Sequence, residues 1–166
     1  MKNAMSNEII PRLHDHFSTP FLLHKTVQVY GFGESALALK IADWEAELPE
    51  NISLAYLPNS GVVKLRMSGT SDDLLMLEFS INQQVDKLSQ ILGSAIIAYE
   101  DITIEQLVGN LLKNKGLTVA TAESCTGGNI ARRFTSIPGS SEFFKGSVVA
   151  YSNDIKTSIL QVSTEN

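Results

Sequence analysis

A chain of 166 residues holds one ordinary domain or two small ones, and its 43% hydrophobic content is that of a globular protein. No apolar run approaches the ~20 residues needed to span a bilayer, and the single cysteine excludes a disulfide framework, which makes a reducing cytoplasm the expected compartment. Residues 1–100 carry 7 Lys/Arg against 12 Asp/Glu, a poor electrostatic match to a phosphate backbone, so nucleic acid is not an expected partner; residues 101–166 balance at 6 against 6.

Residues 1–17 read as a connecting segment without the continuous apolar stretch of a signal peptide. Their His14-Asp15-His16 run has no further ligands nearby, and zinc wants three or four. It is read as solvated surface. From about residue 24 a mixed pattern begins. KTVQVYGF alternates as a half-buried strand, and GESALALKIADWEAEL places Leu37, Ile41, Trp44 and Leu48 at helical spacing before Pro49. Trp44 is read as core. ISLAYL and VVKLRM form strands around a Pro58-Asn59-Ser60-Gly61 turn. Ser71-Asp72-Asp73 caps a helix carrying Leu74, Leu77, Ile81, Val85, Leu88 and Ile91 on one face, and AIIAY closes the unit. The order β-α-β-β-α-β predicts a small open sheet with helices on one face.

A boundary follows near Glu100-Asp101. Thr103 and Gln106 have capping-box spacing, Ile102 and Leu107 can form a staple, and Ile104, Leu107, Val108, Leu111 and Leu112 are the expected buried stripe. LTVATA reads as a strand, GGNIARRF as a helix start, GSVVAYS as a strand, and NDIKTSILQV as a helix capped by Asn153. This second unit, residues 101–166, is an incomplete layered α/β domain with two strands. It is expected either to belong to a fragment or to complete itself in a homo-oligomer.

The chemistry concentrates in AESCTGG. Ser124 lies where a strand gives way to a turn and helix, and Gly127-Gly128 let backbone approach a ligand. Backbone N–H groups at Thr126–Gly128 can serve an oxyanion or a phosphate. His24 lies in the first unit, which argues against a Ser-His-Asp triad. Lys156 and Tyr151 follow the second parallel strand, where adjacent strand ends meet. Spacing alone leaves Lys156 either a base for the serine or a solvated side chain. Cys125 is read as a small buried residue beside the loop, and Arg132-Arg133 as surface. Pro138-Gly139-Ser140-Ser141 is either a pocket wall or a plain turn.

TVATAESCTGG followed by PGSSEFFKGSVVAYSNDIK strongly resembles the C-terminal domain of the competence/damage-inducible protein CinA family, from about residue 103 to 166. Residues 18–100 look like that family's KH-type middle domain, and residues 1–17 like the tail of its molybdopterin-binding-like N-terminal domain. The resemblance implies an amidohydrolase that converts nicotinamide mononucleotide to nicotinate mononucleotide and ammonia, with no metal or organic cofactor. It implies Ser124 as nucleophile, Lys156 as its base, Tyr151 assisting, and Thr126, Gly127, Gly128, Asn153 and Ser140 lining the substrate site. The family continues with a TGIAGP-like loop and a second Gly-rich stretch, and nothing of that kind follows Asn166. The expectation is an unfinished pocket and a chain inactive by itself. Gly31-Phe32-Gly33-Glu34 does not fit the GXXG clamp of an RNA-binding KH module. The rival expectation is a non-catalytic nucleotide-binding or assembly module.

Overall fold

A computed structural model describes residues 5–17, 19–59 and 61–163. Two compact units emerge, Met1–Asp101 and Ile102–Asn166. In the first, a π-helical turn (Met5–Ile9) runs into α1 (Ile10–His16), followed by β1 (Phe21–Tyr30), α2 (Glu34–Ala46), β2 (Ile52–Asn59), β3 (Val62–Ser71), α3 (Leu74–Leu92) and β4 (Ile96–Ala98). The side chains of His14 and Asp15, on which the surface reading of the His-x-His run depends, lie outside the described residues.

The four strands lie in the order β2-β3-β1-β4, and every neighbouring pair is antiparallel. Each helix thus connects two strands that have a third between them, the split β-α-β arrangement. Val27, Val29, Val63, Leu65 and Met67 meet Leu37, Ile41 and Trp44 of α2 and Leu77, Ile81, Val85 and Leu88 of α3 in one buried cluster. The helices therefore share one sheet face, as the pattern predicts. Trp44 is core.

Several boundaries shift for physical reasons. β1 begins at Phe21 rather than near Lys25, because it pairs with β3 from Phe21↔Ser71 to Tyr30↔Val62; ladder pairing carries a strand past its apolar alternation. Pro58 and Asn59 belong to β2, opposite Val63 and Val62, rather than to the turn. Proline is tolerated there because β2 is an edge strand. Gly61, with φ +75°, supplies the left-handed residue of the reversal; Ser60 lies outside the described residues. Asp73 is the cap of α3, accepting the Met76 N–H at 3.1 Å. On α3, Gln84 and Leu92 are buried, while Leu74 and Ile91 lie at its exposed margin.

The second unit runs α4 (Ile104–Asn114), β5 (Val119–Glu123), α5 (Asn129–Thr135), a 3-10 turn (Ser140–Glu142), β6 (Phe144–Val149) and α6 (Asn153–Ser158). β5 and β6 are parallel, from Val119↔Phe144 to Glu123↔Val149. Thr103 caps α4 by accepting the Gln106 N–H at 3.2 Å. Phe143 is fully buried, with Phe134 edge-on at 5.9 Å. Gly109 allows this, since a Cβ there would lie 2.8 Å from the Phe143 ring. The expected buried stripe of α4 is not realised: Ile104 and Leu111 stay 43% and 50% exposed, and Gly109 is the helix's one buried residue. The stripe is wider than the surface that α5 and Phe143 present to it. No helix among the described residues is long and apolar enough to cross a membrane.

Candidate active site

The site is built on the carboxyl edge of the β5–β6 pair. β5 ends at Glu123, Ser124 follows, and the chain then turns tightly. The Gly127 N–H donates to the Ser124 carbonyl at 3.0 Å and the Asn129 N–H to the Thr126 carbonyl at 3.0 Å. Gly127 and Gly128 both have positive φ, +59° and +87°, and a Cβ on Gly128 would press on Val149 at 3.2 Å. Glycine is required at both positions by conformation. The pair forms the turn itself, and α5 begins only at Asn129.

Ser124 is half-buried. Cys125 is exposed, which corrects the expectation of a packed thiol: the turn lifts it off the sheet edge. On the adjacent strand the Ala150 N–H donates to the Glu123 carbonyl at 2.8 Å, so Tyr151 leaves the sheet beside Ser124's strand. Tyr151 is 73% exposed. Ser152 caps α6 by accepting the Ile155 N–H at 3.4 Å. Asn153 is therefore the first helical residue rather than the cap; the hydroxyl of Ser152 reaches the N3 amide, a capping geometry serine favours. Asn153 Oδ1 accepts from Lys156 Nζ at 3.4 Å. Among the described residues no hydrogen bond joins Ser124 to Tyr151 or Lys156. Such bonds are often long before substrate binds.

Ser140 is not brought to this edge. Its turn enters the start of β6, the opposite end of the pair, roughly 16 Å away at the rise of a strand. Pro138–Ser141 thus lead from helix to strand. Arg133 is ion-paired with Glu105 of α4, and Arg132 donates to Asn129 Oδ1 at 3.2 Å. The guanidinium groups belong to the α4–α5 surface. Between these two helices a small cavity of about 160 Å³ opens, lined by the apolar Ile104, Val108, Ile130 and Phe134 and by the Glu105–Arg133 pair.

The group that sequence reasoning missed is Glu123, 4% exposed. Its Oε2 accepts the Ile130 N–H at 2.9 Å, and its Oε1 the Ala131 N–H at 2.8 Å and the hydroxyls of Thr121 and Ser147 at 3.3 Å. Burial works to raise its pKa. The amides of Ala131 and Ile130, aided by the Thr126 and Thr121 hydroxyls, outweigh that and hold it down at about 2. The signal was present in the sequence: an acid at the end of VATAE, directly before a glycine turn and a helix whose first amides need acceptors.

A serine on a glycine turn at a parallel strand end, in a small α/β unit that follows a separate β-α-β-β-α-β unit in the sequence, defines a two-part mixed α/β protein. Residues 24–98 match the damage-inducible protein CinA KH domain and residues 101–166 the CinA C-terminal domain. CinA-like proteins of Flavobacterium psychrophilum and Cytophaga hutchinsonii are 48% and 46% identical over 99% of this chain. The chain belongs to the CinA family. It spans 40% of the length of each of these two relatives. A crystal structure of the competence damage-inducible protein A from Klebsiella pneumoniae is 36% identical over 37% of this chain and 38% of that one, with a TM-score of 0.36. The family assignment therefore rests on sequence.

Proposed function

We propose that the second unit supplies the nucleophile turn of an amidohydrolase that converts nicotinamide mononucleotide to nicotinate mononucleotide and ammonia. Ser124 Oγ attacks the carboxamide carbon while Lys156 Nζ takes its proton. Lys156 then returns that proton to the departing nitrogen as the C–N bond breaks, and water hydrolyses the resulting ester. Tyr151 assists, and Thr126, Gly127, Gly128 and Asn153 contact the substrate. The reading calls on no metal or organic cofactor. One observation carries it: Ser124 and the Tyr151–Lys156 segment leave the same edge of one parallel strand pair, where α/β sheets bind their ligands.

The exposed sole cysteine fits a cytoplasmic compartment, and the half-exposed apolar side chains of α4 fit a homo-oligomer. Light scattering that finds only monomer at high micromolar concentration removes the latter. The rival reading, a non-catalytic nucleotide-binding or assembly module, is favoured by the bond that engages Lys156 with Asn153 rather than with Ser124.

The test is ammonia release from the mononucleotide by this chain, and by this chain fused to the remaining part that a full CinA C-terminal domain is expected to have. Turnover by either form, abolished by Ser124→Ala, supports the amidohydrolase. Turnover by neither, or turnover that survives Ser124→Ala, overturns it. Turnover by the fused form alone matches the expectation that the chain by itself is inactive.

A further inference from the structure

Glu123 is bonded to β5, β6 and α5, the three elements that surround Ser124. Its side chain accepts from Thr121 on β5, Ser147 on β6, and Ile130 and Ala131 on α5, so it is tied to the elements on both flanks of the 124–128 turn. Its main-chain carbonyl accepts from Ala150, immediately before Tyr151. Both halves of the candidate site are thus referenced to one residue, and that residue is covalently joined to Ser124. The Ile130 and Ala131 amides can only donate, and each meets a different oxygen, so the site demands an acceptor at both positions. A carboxylate meets that demand, whereas a glutamine of the same size turns an NH₂ group toward one of the amides.

We propose that Glu123 is a positioning residue for Ser124, its carboxylate fastening the 124–128 turn between the strand pair and α5. A second consequence concerns substrate: the first amides of α5 are filled by the protein's own carboxylate. They are therefore not the cradle of the mononucleotide phosphate, which must find its donors elsewhere. The kinetic part rests on the amidohydrolase reading; the conformational part does not.

The experiment compares Glu123→Gln with Gly109→Ala, which disturbs the same unit at Phe143 without touching the turn. Hydrogen exchange is read at the Gly127 and Asn129 amides, the turn's own bonds, relative to the β6 amides. Glu123→Gln is expected to speed the turn amides by about 10-fold or more, and Gly109→Ala to leave the ratio unchanged. In whichever form releases ammonia, kcat is expected to fall by about 10- to 100-fold with KM within about threefold, the signature of a misplaced reacting group rather than lost binding. A wild-type exchange ratio in Glu123→Gln, or an equal rise in both variants, overturns the proposal. So does a KM change with kcat retained. Should Glu123→Gln not fold, Glu123→Asp, with both oxygens on a shorter stem, takes its place under the same criteria. If no form releases ammonia the amidohydrolase reading falls, and the exchange ratio still decides the positioning role.

Discussion

Residues 109 and 123 are each dictated by their immediate surroundings, Gly109 by the Phe143 ring and Glu123 by a set of donors. Glu123 ionises at about 2 in the folded unit against an ordinary 4.5. A carboxyl whose folded pKa is depressed contributes stability that is present in full above the unfolded value and is lost as pH falls through the folded one. The second unit is therefore expected to lose stability between about pH 4.5 and pH 2. Glu123→Gln is expected to flatten that dependence, because the variant has no proton to take up there. Urea midpoints of the two proteins at pH 5, 4 and 3 measure it; parallel curves would refute it. Gly109 answers to packing alone. Any Cβ drives into a Phe143 ring that cannot retreat, since the ring is fully buried with Phe134 against it. Gly109→Val is expected to cost about 1–3 kcal/mol, read as faster exchange of the β6 amides.

Among the elements, α3 is the one whose ends and faces agree best with simple rules. Asp73 closes its first turn, and Leu77, Ile81, Val85 and Leu88 recur on its core face. Asp73→Ala is expected to destabilise the first unit by about 1 kcal/mol. The fluorescence of Trp44, the chain's sole tryptophan and a member of that core, follows the unfolding. β2 contributes another polar contact at this level. The Tyr56 phenol donates to Glu45 of α2 at 2.6 Å, and its burial together with that carboxylate pushes its pKa upward. α4 is the contrary case. Its sequence is more amphipathic than that of α3, yet its apolar side chains are only half covered.

At the scale of the whole molecule the two units differ in what holds them. The first has a continuous cluster from α2, α3 and strands β1 to β3, with Ile96 of β4 packed against it. In the second, the buried apolar side chains among the described residues are Phe143 and Ala150, and a buried carboxylate does part of the joining. Burial scales with the area removed from water, so the second unit is expected to unfold at lower urea than the first. Hydrogen exchange of β6 amides against Trp44 fluorescence measures the order. Coincident transitions would contradict it.

The alternation of Val27 with Val29, the helical spacing of Leu37, Ile41 and Trp44, and the caps at Asp73 and Thr103 were legible in the sequence. Each is a local preference that the fold left undisturbed. Gly127-Gly128 was legible as a point where backbone can come close to a ligand, while its left-handed conformation and the start of α5 at Asn129 emerged from the structure. Strand ends were not, since β1 is as long as its partner β3 allows. Nor was the edge to which each loop belongs: Ser140 and Ser124 both sit in small, hydroxyl-bearing turns, and only parallel pairing sends them to opposite ends of β6. Half of Glu123's role had a local signal, an acid just before a helix whose first amides need acceptors; its role as the junction of β5, β6 and α5 had none, because it depends on Ser147 being brought alongside by strand pairing. Local propensity determined the elements; the convergence of distant donors and the pairing of distant strands determined the site.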